Sequence, residues 1–256
     1  MKKNISCECF WGDPPLEVTL SPDEVHIWCV ALEQRLSRVQ SLAYTLSIEE
    51  KQRADRFHFE RDRRRYIVSQ GYLRTILGRY VGIAPEQVAF RYGVRGKPAL
   101  KNLANMPPAS GNVRFNASHS HELALYAIGR DREVGIDVEY IRPIPDAEQI
   151  VERYFARQEC AEFQSLPEAQ RVEAFFSCWT RKEAFLKARG EGLYRPLHQF
   201  AVSLTPQEPA RLLSFEEDSQ ELARWSLQAL VPAAGYVATV AVEGHAWRLS
   251  CWRIKE

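Results

Sequence analysis

No apolar run in this 256-residue sequence approaches the roughly 20 residues that a membrane-spanning helix needs, so no membrane role is expected. The opening "MKKNISCECFWGDPP" has two lysines but no apolar core behind them, and does not read as a signal peptide. No C-x-x-C pair occurs among Cys7, Cys9, Cys29, Cys160, Cys178 and Cys251, and no second pair stands near Cys7 and Cys9 to complete a zinc site. Reduced thiols in a cytoplasmic protein are the expectation. Neither charge sign dominates: 34 Lys and Arg balance 33 Asp and Glu, so there is no global basic field to draw in nucleic acid. P-loop, G-x-G-x-x-G, H-E-x-x-H and G-x-S-x-G signatures are all missing, which argues against the commonest nucleotide hydrolases, dinucleotide enzymes, zinc proteases and α/β-hydrolases. What remains is an ordinary globular composition, 45% apolar and 26% charged.

The apolar pattern predicts an α+β fold. "VHIWCVAL" (25–32) reads as a buried strand. Ser47 and Glu50 form a capping box that opens a helix, and a second helix over 63–82 ends at Gly82. Residues 89–100 and 113–129 each read as strand, turn, strand, with "NASHSH" (116–121) in the second turn. After a strand at 133–140 come helical patterns over 146–165 and 170–189, then strands near 199–204, 225–231, 235–243 and 247–253. Helix followed by sheet thus occurs twice. The expectation is two similar α+β halves in one chain, 1–131 and 132–256.

The stretch "EVGIDVEYIRP" (133–143) poses the chemical question. Alternate side chains of a strand share a face, so Val134, Ile136 and Val138 make one face apolar, while Gly135, Asp137 and Glu139 occupy the other. Two like charges two residues apart repel. A hard divalent cation turns that repulsion into binding, with Gly135 leaving room for a ligand; a solvated edge strand with two harmless acids is the other reading. On the helix 170–189, Val172, Phe176, Trp179 and Leu186 form an apolar stripe with Glu183 in its middle. A carboxylate there needs a cation or a proton. Lys187 lies one turn on.

Cations are concentrated locally. Lys51, Arg53, Arg56, Arg61, Arg63, Arg64 and Arg65 fit either a bound polyphosphate or a solvated helix face. "GKP" (96–98) presents Lys97 on a tight turn, and His119 suits a phosphate donor, a base, or a plain surface histidine. From the residues alone, the reading stops at a cytosolic protein with a candidate Mg²⁺ site acting on a phosphate ester.

The ordered set "RGKP", "FNASHS", "GIDVE" and "FFSCWTRKEAFLKARGEGL" resembles the 4′-phosphopantetheinyl transferases of the surfactin-synthetase-activating type, over about residues 47 to 204. The resemblance implies a pseudo-dimer of two α+β halves with the active site in the cleft between them. The first half would contribute to coenzyme A binding, and the second would carry the metal-binding acids and the K-E-A helix. It implies transfer of the phosphopantetheine arm of coenzyme A to a serine of an apo acyl or peptidyl carrier protein, with release of 3′,5′-ADP. By motif, Asp137, Glu139 and Glu183 would hold Mg²⁺, and Lys187 would contact the pyrophosphate. Ser118 and His119 would bind phosphates of coenzyme A, Lys97 would lie beside the adenine, and Arg65 and Arg53 would stand near the 3′-phosphate. Glu183 is the candidate base for the carrier serine. Arg153, Arg157 and Arg189 are candidate rim contacts for the carrier, and a monomer is expected. Two other readings stay open: a different Mg²⁺-dependent phosphodiesterase or hydrolase, and a non-catalytic module binding coenzyme A or the carrier.

Overall fold

The computed structural model describes residues 10–101, 112–192, 195–206, 208–216 and 220–255. Cys7 and Cys9 lie outside the described residues; Cys29, Cys160, Cys178 and Cys251 are in no disulfide. In chain order the first elements are β1 (Trp11–Gly12), β2 (Glu24–Ala31), α1 (Leu36–Thr45), α2 (Ile48–Ala54), α3 (Glu60–Val81), β3 (Phe90–Tyr92) and β4 (Pro98–Leu100). Next are β5 (Val113–Ser120), β6 (Leu123–Arg130), β7 (Val134–Tyr140), α4 (Ala147–Tyr154), α5 (Arg157–Ser165) and α6 (Glu168–Arg189). The chain closes with β8 (Phe200–Val202), β9 (Leu212–Phe215), α7 (Gln220–Arg224), β10 (Trp225–Leu230), β11 (Tyr236–Glu243) and β12 (Arg248–Ile254).

The elements stack in layers. A five-stranded sheet runs β1-β12-β2-β6-β5, and a three-stranded sheet runs β10-β11-β7. Trp28, Val30, Tyr126 and Phe115 on one face of the first sheet pack with Val39, Leu42, Tyr72 and Leu77 of α1 and α3. The opposite face, through Val25, Ile27 and Leu125, meets Ile136, Val138 and Val240 of the second sheet. The outer face of the second sheet packs on α6. Strand alternation therefore reaches both sheets: each strand has two faces, and both are covered.

Local signals place the helices as expected. Ser47 accepts from the Glu50 amide while Glu50 accepts from the Ser47 amide, the capping box that starts α2. Helices α3 and α6 are each 22 residues long, and each stops at a left-handed glycine, Gly82 (φ 68°) and Gly190 (φ 69°). β1, β2, β5 and β6 lie in the first sheet and β7, β10 and β11 in the second. β12 leaves the second sheet and pairs in parallel with β2, so the last strand belongs to the first. The predicted turn at 116–121 is also shorter than expected: residues 116–120 stay in β5, and His121 (φ 52°) with Glu122 makes the bend.

The expected space beside Gly135 does not exist, because the backbone of α6 fills it. A Cβ on Gly135 would overlap the Ala184 carbonyl oxygen and the Ala188 amide nitrogen, and would stand 2.8 Å from Ala188 Cα. A glycine is required where strand and helix backbones come this close. Gly135→Ala is therefore expected to destabilise the fold by about 3 kcal/mol or more, because backbone cannot yield as a side chain can. Urea unfolding of the variant beside the parent chain measures this.

Candidate active site

The site begins at the open edge of β7. Its other edge pairs with β11, leaving the amides of Ile136, Val138 and Tyr140 without a strand partner. Alternate side chains of β5 take them instead. Asn116 Oδ1 accepts from Ile136 N (2.8 Å), Ser118 Oγ from Val138 N (3.4 Å) and Ser120 Oγ from Tyr140 N (3.1 Å). The two serines in turn donate hydrogen bonds to the acids: Ser118 Oγ to Asp137 Oδ1 (2.8 Å), and Ser120 Oγ to Glu139 Oε2 (2.8 Å).

Close packing at Gly135 brings α6 against the same strand face. Lys187 Nζ donates to Asp137 Oδ1 (2.6 Å) and to Ser118 Oγ (3.0 Å). Asp137 is 4% exposed, and burial raises its pKa against the pull of Lys187, Ser118 and the Val138 amide. Glu139 is raised too, chiefly by burial, with the Ser120 hydrogen bond opposing. Glu183 is pushed up to about 7, by burial first and then by the Asp137 charge, with Lys187 pulling the other way. Asp137 Oδ2 and Glu183 Oε1 are both buried and have no hydrogen-bond partner. Two unpartnered carboxylate oxygens from separate segments, with the charge of one group raising the pKa of the other, suit a hard cation. Glu139 is held by Ser120 and lies 3.5 Å from Arg142, and its charge adds to that of Asp137 in raising Glu183. Among the described residues no three acids or histidines are gathered as a ready metal cage.

Other expected site residues scatter. His119 follows Ser118 in β5 and so faces the opposite side of the strand, the side on which Ala117 packs against the α1 and α3 core. Its ring is exposed yet crowded enough that lost hydration, and then Lys187, favour the neutral form. Lys97 is tied internally, donating to Glu133 Oε2 (2.7 Å) and Ala188 O (2.6 Å), and lines a cavity of about 510 Å³ with Arg91, Arg95, Arg114 and Arg189. Arg65 pairs with Glu33 (2.6 Å), while Arg53 lies over the Tyr66 ring at 5.5 Å; no contact joins the two arginines. Arg189 is engaged by Glu191 (2.6 Å) and Glu221, so it is no free rim cation. Arg153 and Arg157 are exposed. Of the charge run, Arg61, Arg63 and Arg64 make exposed pairs with Asp62, Asp55 and Glu60, the solvated-face reading.

The α6 stripe also needs correction. Phe176 and Leu186 are buried, but Val172, Trp179, Glu183 and Lys187 are half-buried, while every other position from Ala174 to Ala188 is enclosed. A fully buried charge stands beside Glu183: Lys182 pairs with Glu159 at 2.8 Å, and both side chains have 0% exposure. Lys182 also donates to Leu197 O and Phe200 O, and Glu159 accepts from Ala156 N and Val202 N. Sequence reasoning gave no role to Lys182, Asn116 or Ser120. The alternation of Asn116, Ser118 and Ser120 along a strand was the available signal.

The Glu183 carboxyl fixes a pH dependence. Between pH 4.5 and about 7 the folded chain holds a proton that the unfolded chain has released, so its contribution falls as pH rises through that window. The ceiling is about 3 kcal/mol, at about 1.4 kcal/mol per unit. With divalent cations chelated, Glu183→Gln is expected to be more stable than the parent at pH 8 by about 1–3 kcal/mol, and the gain should vanish by about pH 4.5. Urea titrations at the two pH values check it.

Comparison with known proteins fits this arrangement. A family model described as the 4′-phosphopantetheinyl transferase superfamily matches residues 133–241, and one described as 4′-phosphopantetheinyl transferase, N-terminal, matches residues 34–129. The chain is 44% identical to the 4′-phosphopantetheinyl transferase HetI of Nostoc sp. PCC 7120, over 94% of this chain and 97% of that protein. It is 34% identical to a 4′-phosphopantetheinyl transferase of Bacillus pumilus, over 68% of this chain and 71% of that one. Identity to the transferase Sfp of Bacillus subtilis is 26%, over 70% and 76%. Among the three readings left open by the residues, these matches select the transferase, and the chain belongs to the 4′-phosphopantetheinyl transferases.

Proposed function

We propose that this transferase moves the 4′-phosphopantetheine arm of coenzyme A onto a serine hydroxyl of an apo acyl or peptidyl carrier protein, releasing 3′,5′-ADP in a Mg²⁺-dependent reaction. The observation that carries the reading is the pair of unpartnered oxygens, Asp137 Oδ2 and Glu183 Oε1, beside the Lys187 ammonium. Asp137 and Glu183 would hold the cation, with Glu139 as a third ligand. When bound, a divalent cation supplies positive charge to a diphosphate and to the departing nucleotide.

The chain's own groups do the rest. Lys187 is anchored on Asp137 Oδ1 and Ser118, which keeps its Nζ at the acid cluster to meet a pyrophosphate oxygen. Ser118 and His119 would take further phosphate oxygens of coenzyme A, from the two faces of β5. Arg65 and Arg53 would serve the 3′-phosphate, which requires Arg65 to exchange Glu33 for the ligand. The 510 Å³ cavity beside Lys97 offers room for the adenine, against the lysine stem. Glu183 has a carboxyl near pH 7, the range in which a general base is effective, and would accept the proton of the attacking serine. Ligating a cation and accepting a proton compete, since a bound oxygen is the weaker base. The same reading takes the protein as a cytoplasmic monomer that touches no nucleic acid; no helix among the described residues is long and apolar enough to cross a membrane.

Intact-mass spectrometry tests this. With coenzyme A and Mg²⁺, an apo-carrier protein should gain about 340 Da, the mass of the transferred arm. Asp137→Ala should slow the gain by about 100-fold or more. Fatty-acid, polyketide and peptide carriers that all stay unmodified, with coenzyme A hydrolysed in their absence, would overturn the proposal.

A further inference from the structure

The two acids of β7 are restrained unequally. Asp137 Oδ1 is gripped twice, by Lys187 Nζ at 2.6 Å and by Ser118 Oγ at 2.8 Å. Glu139 has a longer side chain with one more rotatable bond and no lysine. Its short contact is Ser120 Oγ at 2.8 Å; Arg142, more than half exposed, stands off at 3.5 Å. Ser120 is itself fixed from the other side, because its oxygen accepts from Tyr140 N at 3.1 Å. A hydroxyl has one proton to give, and that bond leaves it for the carboxylate. The bond occupies Glu139 Oε2 and aims the group from a rigid strand.

We infer that Ser120 is a positioning residue: it holds the Glu139 carboxylate in the orientation that lets it serve the cation shared with Asp137 and Glu183. The inference rests on the proposed metal role of these acids. It assigns to Ser120 a task different from that of Ser118, whose oxygen also receives Lys187 Nζ. The energetic logic is that of an outer-shell partner. A ligand carboxylate left free to rotate must be ordered when the ion binds, and losing such a partner weakens metal affinity by roughly 10- to 100-fold.

The test reads metal binding directly. Mn²⁺ is titrated into the full chain in the presence of coenzyme A, and free Mn²⁺ is followed by its paramagnetic resonance signal. Ser120→Ala should raise the Kd about 10-fold or more, while Ser120→Thr, which keeps the hydroxyl, should return it to within about threefold of the parent. In the transfer assay the same alanine variant should need about 10-fold more Mg²⁺ for half-maximal rate and approach parental kcat at saturating metal. Parental Mn²⁺ affinity in Ser120→Ala overturns the inference, and so do alanine and threonine variants that are equally weakened, since that marks a packing defect. A parent chain that binds no Mn²⁺, with or without coenzyme A, takes down the metal reading as well. Parental binding that is lost in Asp137→Ala but unchanged in Ser120→Ala removes this inference alone.

Discussion

Everything at the site depends on how the free edge of β7 is satisfied. An unpaired row of amides is ordinarily a liability that proteins cover or block. Here β5 covers it with side chains, Asn116, Ser118 and Ser120, each reaching an amide 20 residues further along the chain. The constant offset makes the contact a ladder and fixes its register. A slip of one residue would exchange the faces of β7 and drive Asp137 into the apolar layer where Ile136 and Val138 meet Ile27 and Leu125. The same hydroxyls that hold the strand also hold its acids. Structural pairing and orientation of the carboxylates are therefore one set of bonds.

The "KEA" run of α6 can be read in the same terms. Lys182 points to the side where Glu159, Leu197 O and Phe200 O consume its three protons, tying α6 to α5 and β8. Breaking such a buried pair from one side leaves an uncompensated charge, which costs about 3–5 kcal/mol. Glu183, one step of about 100° round the helix, is turned toward Asp137 instead. Ala184 and, one turn on, Ala188 present bare backbone to Gly135, so that helix and strand can touch. An anchored cation, a displayed anion and a small residue for close approach stand side by side because a helix turns that far at each residue. Lys187 follows Glu183 by four residues, on the same side, and closes onto Asp137.

Much of this was legible in the sequence. The capping box at Ser47, the helix stop at Gly82 and the alternation at 134–139 are local signals, and each element forms where its pattern lies. What was not legible depends on contacts between distant segments. Periodicity marks β12 as a strand but cannot say that it pairs with β2 rather than its neighbour in sequence, β11. The Gly135 gap looked like space for a ligand because only the fold reveals which backbone occupies it. The α6 stripe was misread because a helix enclosed on nearly all sides has no single apolar face; its polar interruption marks the site, not the core. Helix α1 went unread, although Leu36, Val39, Leu42 and Ala43 stand at helical spacing.

The path of the last strand bears on why three mutually repelling carboxylates can be held at one junction at all. Asp137, Glu139 and Glu183 are all raised in pKa by burial, so without a cation each works against the folded state at neutral pH. Separating the two sheets would strip β5 from β7 and let water reach the acids, relieving that burial. The chain prevents it: after β11 in the second sheet it crosses over, and β12 enters the first sheet between β1 and β2, paired with β2 along seven residues from Arg248 to Ile254. Opening the junction would pull apart not an edge but an interior strand pair, together with the apolar layer of Val25, Ile27, Val138 and Val240 between the sheets. Strain concentrated at a few charged groups is thus opposed by cooperative apolar burial and backbone pairing spread over the whole sheet contact, and a small basin of destabilised acid can persist in an otherwise stable fold.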